Sequence, residues 1–142
     1  MKSILKVEDL EVSFANETED IECIDKVSFS IDPGETLCIV GESGSGKSVT
    51  ILSIMGLLGK SGKVTGGNVI FNGVDLLSKS EKELDQIRGN EMTMIFQDAM
   101  TSLNPVFTVG NQLIETMMIH LKLNKKQAME RAKLLLEKVG LP

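Results

Sequence analysis

The chain has no tryptophan and no tyrosine, and aromatic residues make up only 4 % of its 142 residues. Without these large rings, a hydrophobic core has to be built from aliphatic side chains and from methionine, which occurs eight times. Hydrophobic residues account for 42 % of the chain and charged residues for 25 %, which is the composition of an ordinary globular protein. The length is sufficient for one domain with a core of its own.

Cysteine is scarce as well, and the only two, Cys23 and Cys38, are fifteen positions apart without a C-x-x-C motif. This spacing favours neither a disulfide framework nor a metal site, and it predicts two buried thiols in a reducing compartment. A long hydrophobic run is also missing, because the most apolar segment, residues 49–58, is too short to span a bilayer. The first residues lack the apolar core of a signal peptide, so we predict a soluble cytoplasmic protein.

Positive charge is in deficit, with 15 lysine and arginine residues against 20 aspartate and glutamate residues and a net charge of −5. This balance argues against a nucleic-acid partner, because such binding depends on neutralising backbone phosphates. It does not argue against a nucleotide, since a glycine-rich loop binds phosphate through local backbone dipoles.

What the sequence does contain is one highly specific glycine-rich segment, residues 41–48, which matches the P-loop pattern G-x-x-x-x-G-K-[ST]. Glycine permits the turns that aim backbone N–H groups at an anion, Lys47 would reach the β- and γ-phosphates, and the Ser48 hydroxyl would bind Mg²⁺. The predicted phosphate-binding residues are Gly41, Glu42, Ser43, Gly44, Ser45, Gly46, Lys47, Ser48 and the amide of Val49. The apolar residues 37–40 predict a buried parallel strand before the loop, and residues 49–58 predict a helix after it.

The rest of the chain alternates between strand and helix patterns. Alternating apolar residues predict two antiparallel strands at 4–14 and 21–31, joined to the P-loop strand by the turn Asp32-Pro33-Gly34. After the P-loop helix, the pattern predicts a loop at 59–67, a strand at 68–71 ended by Asn72-Gly73, and a helix capped by Ser80 and Glu83. A buried strand at 92–96 and a loop at 97–106 follow. The chain then continues with a helix at 108–121 and a last helix capped by Asn124 and Gln127.

A family resemblance rests on two segments. A hairpin before the P-loop, followed about fifty residues later by the sequence MIFQD at 94–98, resembles the nucleotide-binding domain of ABC transporters. Residues 41–50 and the sequence FQDAMTSLNP at 96–105 are similar to the ATP-binding subunits of bacterial oligopeptide and dipeptide importers, the peptide/nickel type. The resemblance covers the whole chain.

The resemblance implies an α/β fold with an incomplete P-loop NTPase (RecA-like) core. An N-terminal antiparallel β subdomain and the first helices of an α-helical subdomain would complete it. Within one partial nucleotide-binding domain over residues 1–142, residues 1–96 would form the β subdomain and P-loop core, residues 97–107 the Q-loop, and residues 108–142 the start of the helical subdomain.

The resemblance also implies roles for single residues. Phe14 would stack on adenine, and the alternative is a plain core phenylalanine. Gln97 would be the Q-loop glutamine, which contacts Mg²⁺ or the attacking water. Met100, Leu103 and Val106 would receive the coupling helix of a transmembrane permease subunit, the alternative being that they pack under the following helix.

Three parts of the ABC hydrolysis machinery do not occur in these residues: an apolar strand ending in Asp-Glu, a Leu-Ser-Gly-Gly-Gln type signature and a switch histidine after that strand. The chain therefore resembles the N-terminal part of a longer subunit that binds ATP and Mg²⁺ and, when complete, is an ATPase. We predict that these 142 residues bind nucleotide without hydrolysing it. A second ATP-binding subunit and permease subunits are the implied partners, on the cytoplasmic face of the inner membrane. The alternatives are a nucleotide-binding or interaction module without a transport role, and another P-loop ATPase.

Overall fold

A computed structural model describes residues 3–16, 19–98 and 102–141. The chain divides into two compact units, Met1–Leu84 and Asp85–Pro142, and each is described by itself. Along the described ranges, no helix combines the length and the apolar character that crossing a bilayer requires.

The first unit is built on one antiparallel sheet. Its strands are β1 (Leu5–Ala15), β2 (Asp20–Ile31), β3 (Gly62–Phe71) and the short β4 (Val74–Asp75), in the spatial order β2-β1-β3-β4. The predicted pairing of the first two strands is thus confirmed. Alternation of side chains along the strands sends one set of apolar residues into the core. The buried members are Val7, Leu10, Val12, Ile24, Val69 and Phe71.

The third strand is longer than predicted. It includes residues 62–67, which were expected to lie in a loop. Gly67 adopts a φ of 87° opposite Asp9, whose φ is 45°, and the β1–β3 register shifts between Glu8 and Glu11. This irregularity is a β-bulge, in which glycine supplies a backbone conformation that a strand residue rarely takes. A glycine-rich segment therefore pairs as a strand although its composition is typical of a loop.

Two predicted buried strands, at 37–40 and 92–96, are not formed. Residues 37–40 are irregular with Val40 85 % exposed, while Ile95 is 98 % exposed and Met92 makes only an isolated bridge to Arg88. A parallel strand is stabilised by hydrogen-bonded neighbours. No other strand in the described ranges pairs with either segment, so these apolar residues have no sheet to enter.

The prediction of buried thiols was also wrong, since both cysteines are free and exposed. Cys38 lies within the irregular stretch at 37–40 and shares its exposure. Cys23 lies on β2, where its thiol donates a weak hydrogen bond to the carbonyl of Ile21 at 3.7 Å.

Helix α1 (Lys47–Ile54) follows the glycine-rich loop, as predicted, but begins two residues earlier and ends four residues earlier than expected. Gly56, with a φ of 65°, stops the helix soon after Ile54. The Asn72-Gly73 turn joins β3 to β4 with positive φ at both residues, which confirms the predicted hairpin. A short 3-10 helix (Leu76–Ser78) follows β4.

Helix α2 (Glu81–Ile87) begins at the predicted capping position. A carboxylate oxygen of Glu83 accepts hydrogen bonds from the backbone N–H of Ser80 at 2.9 Å and from its hydroxyl at 2.7 Å. The other oxygen pairs with the Lys79 ammonium at 2.8 Å. The Lys79 hydrogen bond, followed by the two bonds from Ser80, lowers the pKa of Glu83 from 4.5 to about 2.

This cap makes the start of α2 sensitive to acid. Because the pKa of Glu83 is lower in the folded chain, its stabilising effect is complete above pH 4.5 and is lost as the pH falls towards about 2. We expect the α2 amide signals to change over this interval in an NMR titration, and to be insensitive to pH there in Glu83→Gln. Lys79→Met should move the titration of Glu83 upwards. A Glu83 carboxyl that titrates near 4.5 in the unaltered chain would contradict the assignment.

The second unit contains a pair of helices, α3 (Val109–His120) and α4 (Lys125–Lys138). The side chain of Thr108 caps α3, while Asn124 and Gln127 form a complete capping box at the start of α4. Both helices and the Asn124 cap were predicted, and all three are confirmed. The interface between the helices contains three buried residues, Ile114, Ala128 and Ala132, with Leu113, Met117, Leu123 and Met129 packed around them.

Candidate phosphate-binding site

The glycine-rich loop turns directly into α1. Gly44 and Gly46 have φ values of 82° and 87°, and Gly46 is the N-cap residue of the helix. The helix itself carries no side-chain cap at this end. Its first N–H groups and the positive end of its dipole therefore face the loop, an arrangement that favours an anion.

Lys47 folds back across the loop. Its ammonium group donates hydrogen bonds to the carbonyls of Gly41 at 2.7 Å and Glu42 at 2.6 Å, and to the Ser45 hydroxyl at 3.2 Å. The Ser45 N–H also donates to the Glu42 carbonyl at 3.2 Å. One lysine thus joins both sides of the loop and fixes a positive charge among its backbone groups.

Two glycines of the loop have close neighbours. A Cβ on Gly41 would lie 2.6 Å from the Ser45 hydroxyl oxygen, and one on Gly46 would lie 2.5 Å from Cδ1 of Ile24. Gly44 differs, because no atom lies within 4 Å of its Cβ position. The backbone is therefore open at Gly44, which fits close approach of a ligand, and closely packed at Gly46.

Two hydroxyl groups support the loop from within α1. Thr50 is buried and donates both its N–H, at 2.8 Å, and its hydroxyl, at 3.0 Å, to the carbonyl of Gly46. Ser53 is buried as well and donates its hydroxyl to the Thr50 carbonyl at 2.8 Å. Sequence reasoning missed these roles and the contact of Ile24 with Gly46. The only signal for Thr50 and Ser53 was their polar type among the apolar residues of 49–54, and the sequence carries no signal for the Ile24 contact.

Of the predicted loop residues, Gly41, Glu42, Ser45 and Lys47 are brought together by the hydrogen bonds above. Ser43 and Ser48 are exposed, with Ser48 in the first turn of α1, and Val49 is half-buried beside it. The structure therefore leaves Ser48 accessible for the predicted contact with Mg²⁺.

Phe14 lies near the end of β1, where Gly62 is its partner on β3. Ring atoms Cε1 and Cζ lie 2.9 and 3.1 Å from the Cβ position of Gly62, and Cβ of Leu58 lies 3.1 Å from the same point. The half-buried ring thus covers the glycine, as aromatic residues often do beside a glycine in a sheet. One side of Phe14 is a packing contact, so the predicted adenine contact would use the accessible part of the ring.

Gln97 belongs to the second unit and is exposed. The segment after it includes Met100, which lies outside the described residues. Leu103 is 48 % and Val106 82 % exposed, so neither is buried under α3, the alternative considered from the sequence. In the described ranges, no group of three or more His, Cys, Asp or Glu side chains is arranged to hold a metal ion.

Comparison with protein families gives a match over most of the chain. The family model described as "ABC transporter" matches residues 24–142. The chain is 48 % identical over 141 residues to the oligopeptide transport ATP-binding protein AppD of Bacillus subtilis, and 45 % identical over 140 residues to OppD of Escherichia coli. It is 46 % identical over 142 residues to the dipeptide transport ATP-binding protein DppD of Lactococcus lactis.

These alignments cover 99 % of this chain but only 41 to 43 % of the relatives, so the chain spans about two-fifths of their length. Among solved structures, the dimeric ATP-binding cassette MJ0796 bound to ADP and phosphate superposes with a TM-score of 0.80 over 94 % of this chain and 56 % of that chain. The structure of cbiO1 from Clostridium perfringens gives 0.68 over 99 % and 52 %. At 24 % identity, both show the fold alone, and they confirm the predicted fold class.

Proposed function

Because the chain belongs to the ABC transporter family, we propose that it is the nucleotide-holding part of the ATP-binding subunit of a peptide importer. The observation that carries this proposal is the loop at residues 41–48, in which positive-φ glycines and a folded-back lysine lie at an uncapped helix N-terminus. Similarity to the oligopeptide and dipeptide subunits supports the peptide class of substrate.

The ligand we assign to this loop is ATP with Mg²⁺, and the γ-phosphoryl group of ATP supplies the chemistry when it is bound. The backbone amides of residues 42–49 would hold the phosphates, and Lys47 would neutralise their charge. Ser48 and Gln97 are the residues that would hold Mg²⁺, both with neutral oxygen atoms. Phe14 would contact the adenine ring. The open backbone at Gly44 fits a ligand that approaches the main chain closely.

We further propose that this chain, taken alone, holds ATP without turning it over. A base that activates water and a group that clamps the transferred phosphoryl are needed for rapid hydrolysis. Among the assigned residues, Lys47 and the loop amides can stabilise charge, and Glu42, the one carboxylate among them, is assigned through its backbone amide and not as a base. The complete subunit would be an ATPase.

The partners we propose are a second ATP-binding subunit and the permease subunits of a transporter. The exposed apolar side chains after Gln97, including Leu103 and Val106, support contact with an apolar segment of the permease in the Q-loop region. The protein would then act in the cytoplasm, held peripherally at the inner membrane by that contact.

The absence of tryptophan and tyrosine provides a direct binding assay. Phe14→Trp introduces a single fluorophore at the proposed adenine contact, and titration with ATP and Mg²⁺ should quench it. In that background, Lys47→Ala should weaken binding by about a hundredfold, equivalent to about 2.7 kcal/mol, because it removes charge-assisted contacts with phosphate.

Lys60→Ala serves as the matched control, because Lys60 is an exposed lysine outside the loop, and it should bind ATP normally. Equal affinities of the two lysine variants would reject the phosphate assignment. Phosphate release by the unaltered chain that disappears in Lys47→Ala would instead reject the proposed lack of turnover.

A further inference from the structure

The side chain of Gln112, the fourth residue of α3, is bonded to the loop that precedes the helix. Its Oε1 accepts a hydrogen bond from the N–H of Asn104 at 2.9 Å. Its Nε2 donates to the carbonyl of Asn104 at 2.9 Å and to the carbonyl of Phe107 at 3.0 Å. One amide therefore pairs with both backbone groups of Asn104, as a neighbouring strand would, and also binds a second carbonyl.

Further hydrogen bonds extend from this contact into the loop. The Asn104 side-chain oxygen accepts the N–H of Val106 at 3.0 Å, and the Asn104 carbonyl accepts the N–H of Phe107 at 3.3 Å. Asn104 thus receives the Gln112 amide on its backbone while it holds the backbone of the next residues. The conformation of residues 104–107 depends on this connected set of polar contacts.

Burial of apolar surface does not explain the ordered shape of this loop. Val106 and Phe107 are 82 % and 59 % exposed, so their side chains gain little from leaving water. Ordering each loop residue costs about 1–2 kcal/mol of conformational entropy. Within residues 104–107, the hydrogen bonds of Gln112 and Asn104 offset this cost.

The same contact fixes the wall of a groove. Phe107 and Gln112 line a cavity of about 540 Å³ along α3, with Ile114, Met118 and Ile119 as its other apolar residues. Gln112 is thus bonded to the backbone of the residue whose ring forms one side of this groove. Gln112 therefore acts on the exposed apolar surface that follows Gln97, although it contributes little apolar surface itself.

We infer that Gln112 is a positioning residue, which fixes residues 104–107 in the conformation that presents Val106 and Phe107 to the permease. This inference rests on the proposed function for the identity of the partner, and on the hydrogen bonds alone for the effect on the loop. The alternative is a purely local role, in which Gln112 stabilises only the first turns of α3. That alternative predicts effects on the helix and none on Asn104.

The test compares two glutamines near the starts of the two helices of this unit. Gln112→Glu keeps an acceptor for the Asn104 N–H, removes both donors and places a carboxylate oxygen against two carbonyls. Gln112→Leu removes all three bonds. Gln127→Glu is the matched control, because the Gln127 side chain accepts the Asn124 N–H at 3.1 Å, and a glutamate side chain retains this acceptor.

Amide hydrogen exchange measured by NMR on the 142-residue chain is the readout. In both Gln112 variants, the amides of Val106 and Phe107 should exchange about tenfold faster or more, while those in the middle of α4 are unchanged. In Gln112→Glu, part of this protection should return below the pKa of the new carboxyl group, because the protonated acid regains one donor. Neither the unaltered chain nor Gln127→Glu should show that pH dependence.

Unchanged exchange at Val106 and Phe107 in both Gln112 variants would overturn the inference. An equal acceleration in Gln127→Glu would also overturn it, because the effect would then be general to the unit. The experiment requires neither ATP nor a permease, so a failure here leaves the nucleotide-binding proposal intact. Conversely, a chain that fails to bind ATP can still show the predicted loop exchange.

Discussion

Replacing Gly67 with alanine is expected to lower the free energy of unfolding by about 4 kcal/mol, the largest effect of any glycine substitution in the β1–β3 pair. Two costs combine at this position. The φ of 87° is strained for a residue with a side chain, and the new Cβ would clash with the backbone carbonyl oxygens of Glu8 and Asp9. Those carbonyls belong to the paired strand β1, so they cannot move aside without disturbing the bulge.

Gly66→Ala is the matched control one residue earlier. Its Cβ would meet the side chain of Glu11, chiefly the carboxylate, and Gly66 does not have a positive φ. Because the end of a flexible side chain can rotate away, we expect a loss of about 1 kcal/mol or less. Urea denaturation followed by circular dichroism would measure both values. Equal losses in the two variants would show that the bulge carbonyls are not the cause.

The bulge also illustrates what the sequence could and could not predict about the fold. The Asn72-Gly73 hairpin, the Ser80 cap and the Asn124–Gln127 box were all predicted correctly, since each depends on residues only one to three positions apart. The N-terminal half of β3 was missed because pairing with a bulged strand, and not its own composition, makes it a strand. Turns and helix caps could be predicted from neighbouring residues, whereas strands that depend on a distant pairing partner could not.

The predictions of buried strands at 37–40 and 92–96 were wrong for a related reason. An apolar run shows that its residues favour burial, but it does not identify the neighbours that would bury them. Val40 and Ile95 are exposed because no other strand of the described chain pairs with these segments. The prediction assumed a neighbouring strand on each side, and the described chain pairs no strand with either segment.

The sequence predicted which residues form the glycine-rich loop, but it did not predict which other residues hold that loop in place. The P-loop pattern predicted the turn at the glycines and the helix start near Lys47, because the spacing itself encodes both. The contact of Ile24 with Gly46 joins residues 22 positions apart and leaves no local trace. The same holds for Gln112, whose partners Asn104 and Phe107 become neighbours only when the loop folds back on α3.

The contact between Ile24 and Gly46 leads to the second large expected effect. Gly46→Ala should destabilise the chain by about 3 kcal/mol, because it combines a φ of 87° with a Cβ placed 2.5 Å from Cδ1 of Ile24. Ile24 is only 4 % exposed, so its terminal methyl group is packed and cannot swing into solvent. Gly44→Ala, at a φ of 82° with open space around it, should cost only the backbone part, about 1–2 kcal/mol.

A double-mutant cycle isolates the clash from the backbone strain. Ile24→Val removes the Cδ1 atom itself and should cost about 1 kcal/mol alone, as other buried Ile→Val changes do. In the Ile24→Val background, Gly46→Ala should cost about 1–2 kcal/mol less than in the unaltered chain, since its Cβ then has room. Strict additivity of the two substitutions in urea denaturation would show that the loop does not rest on β2 through this contact. Coupling of the predicted sign, absent for Ile24→Val with Gly44→Ala, would establish that packing against β2 sets the position of the glycine-rich loop.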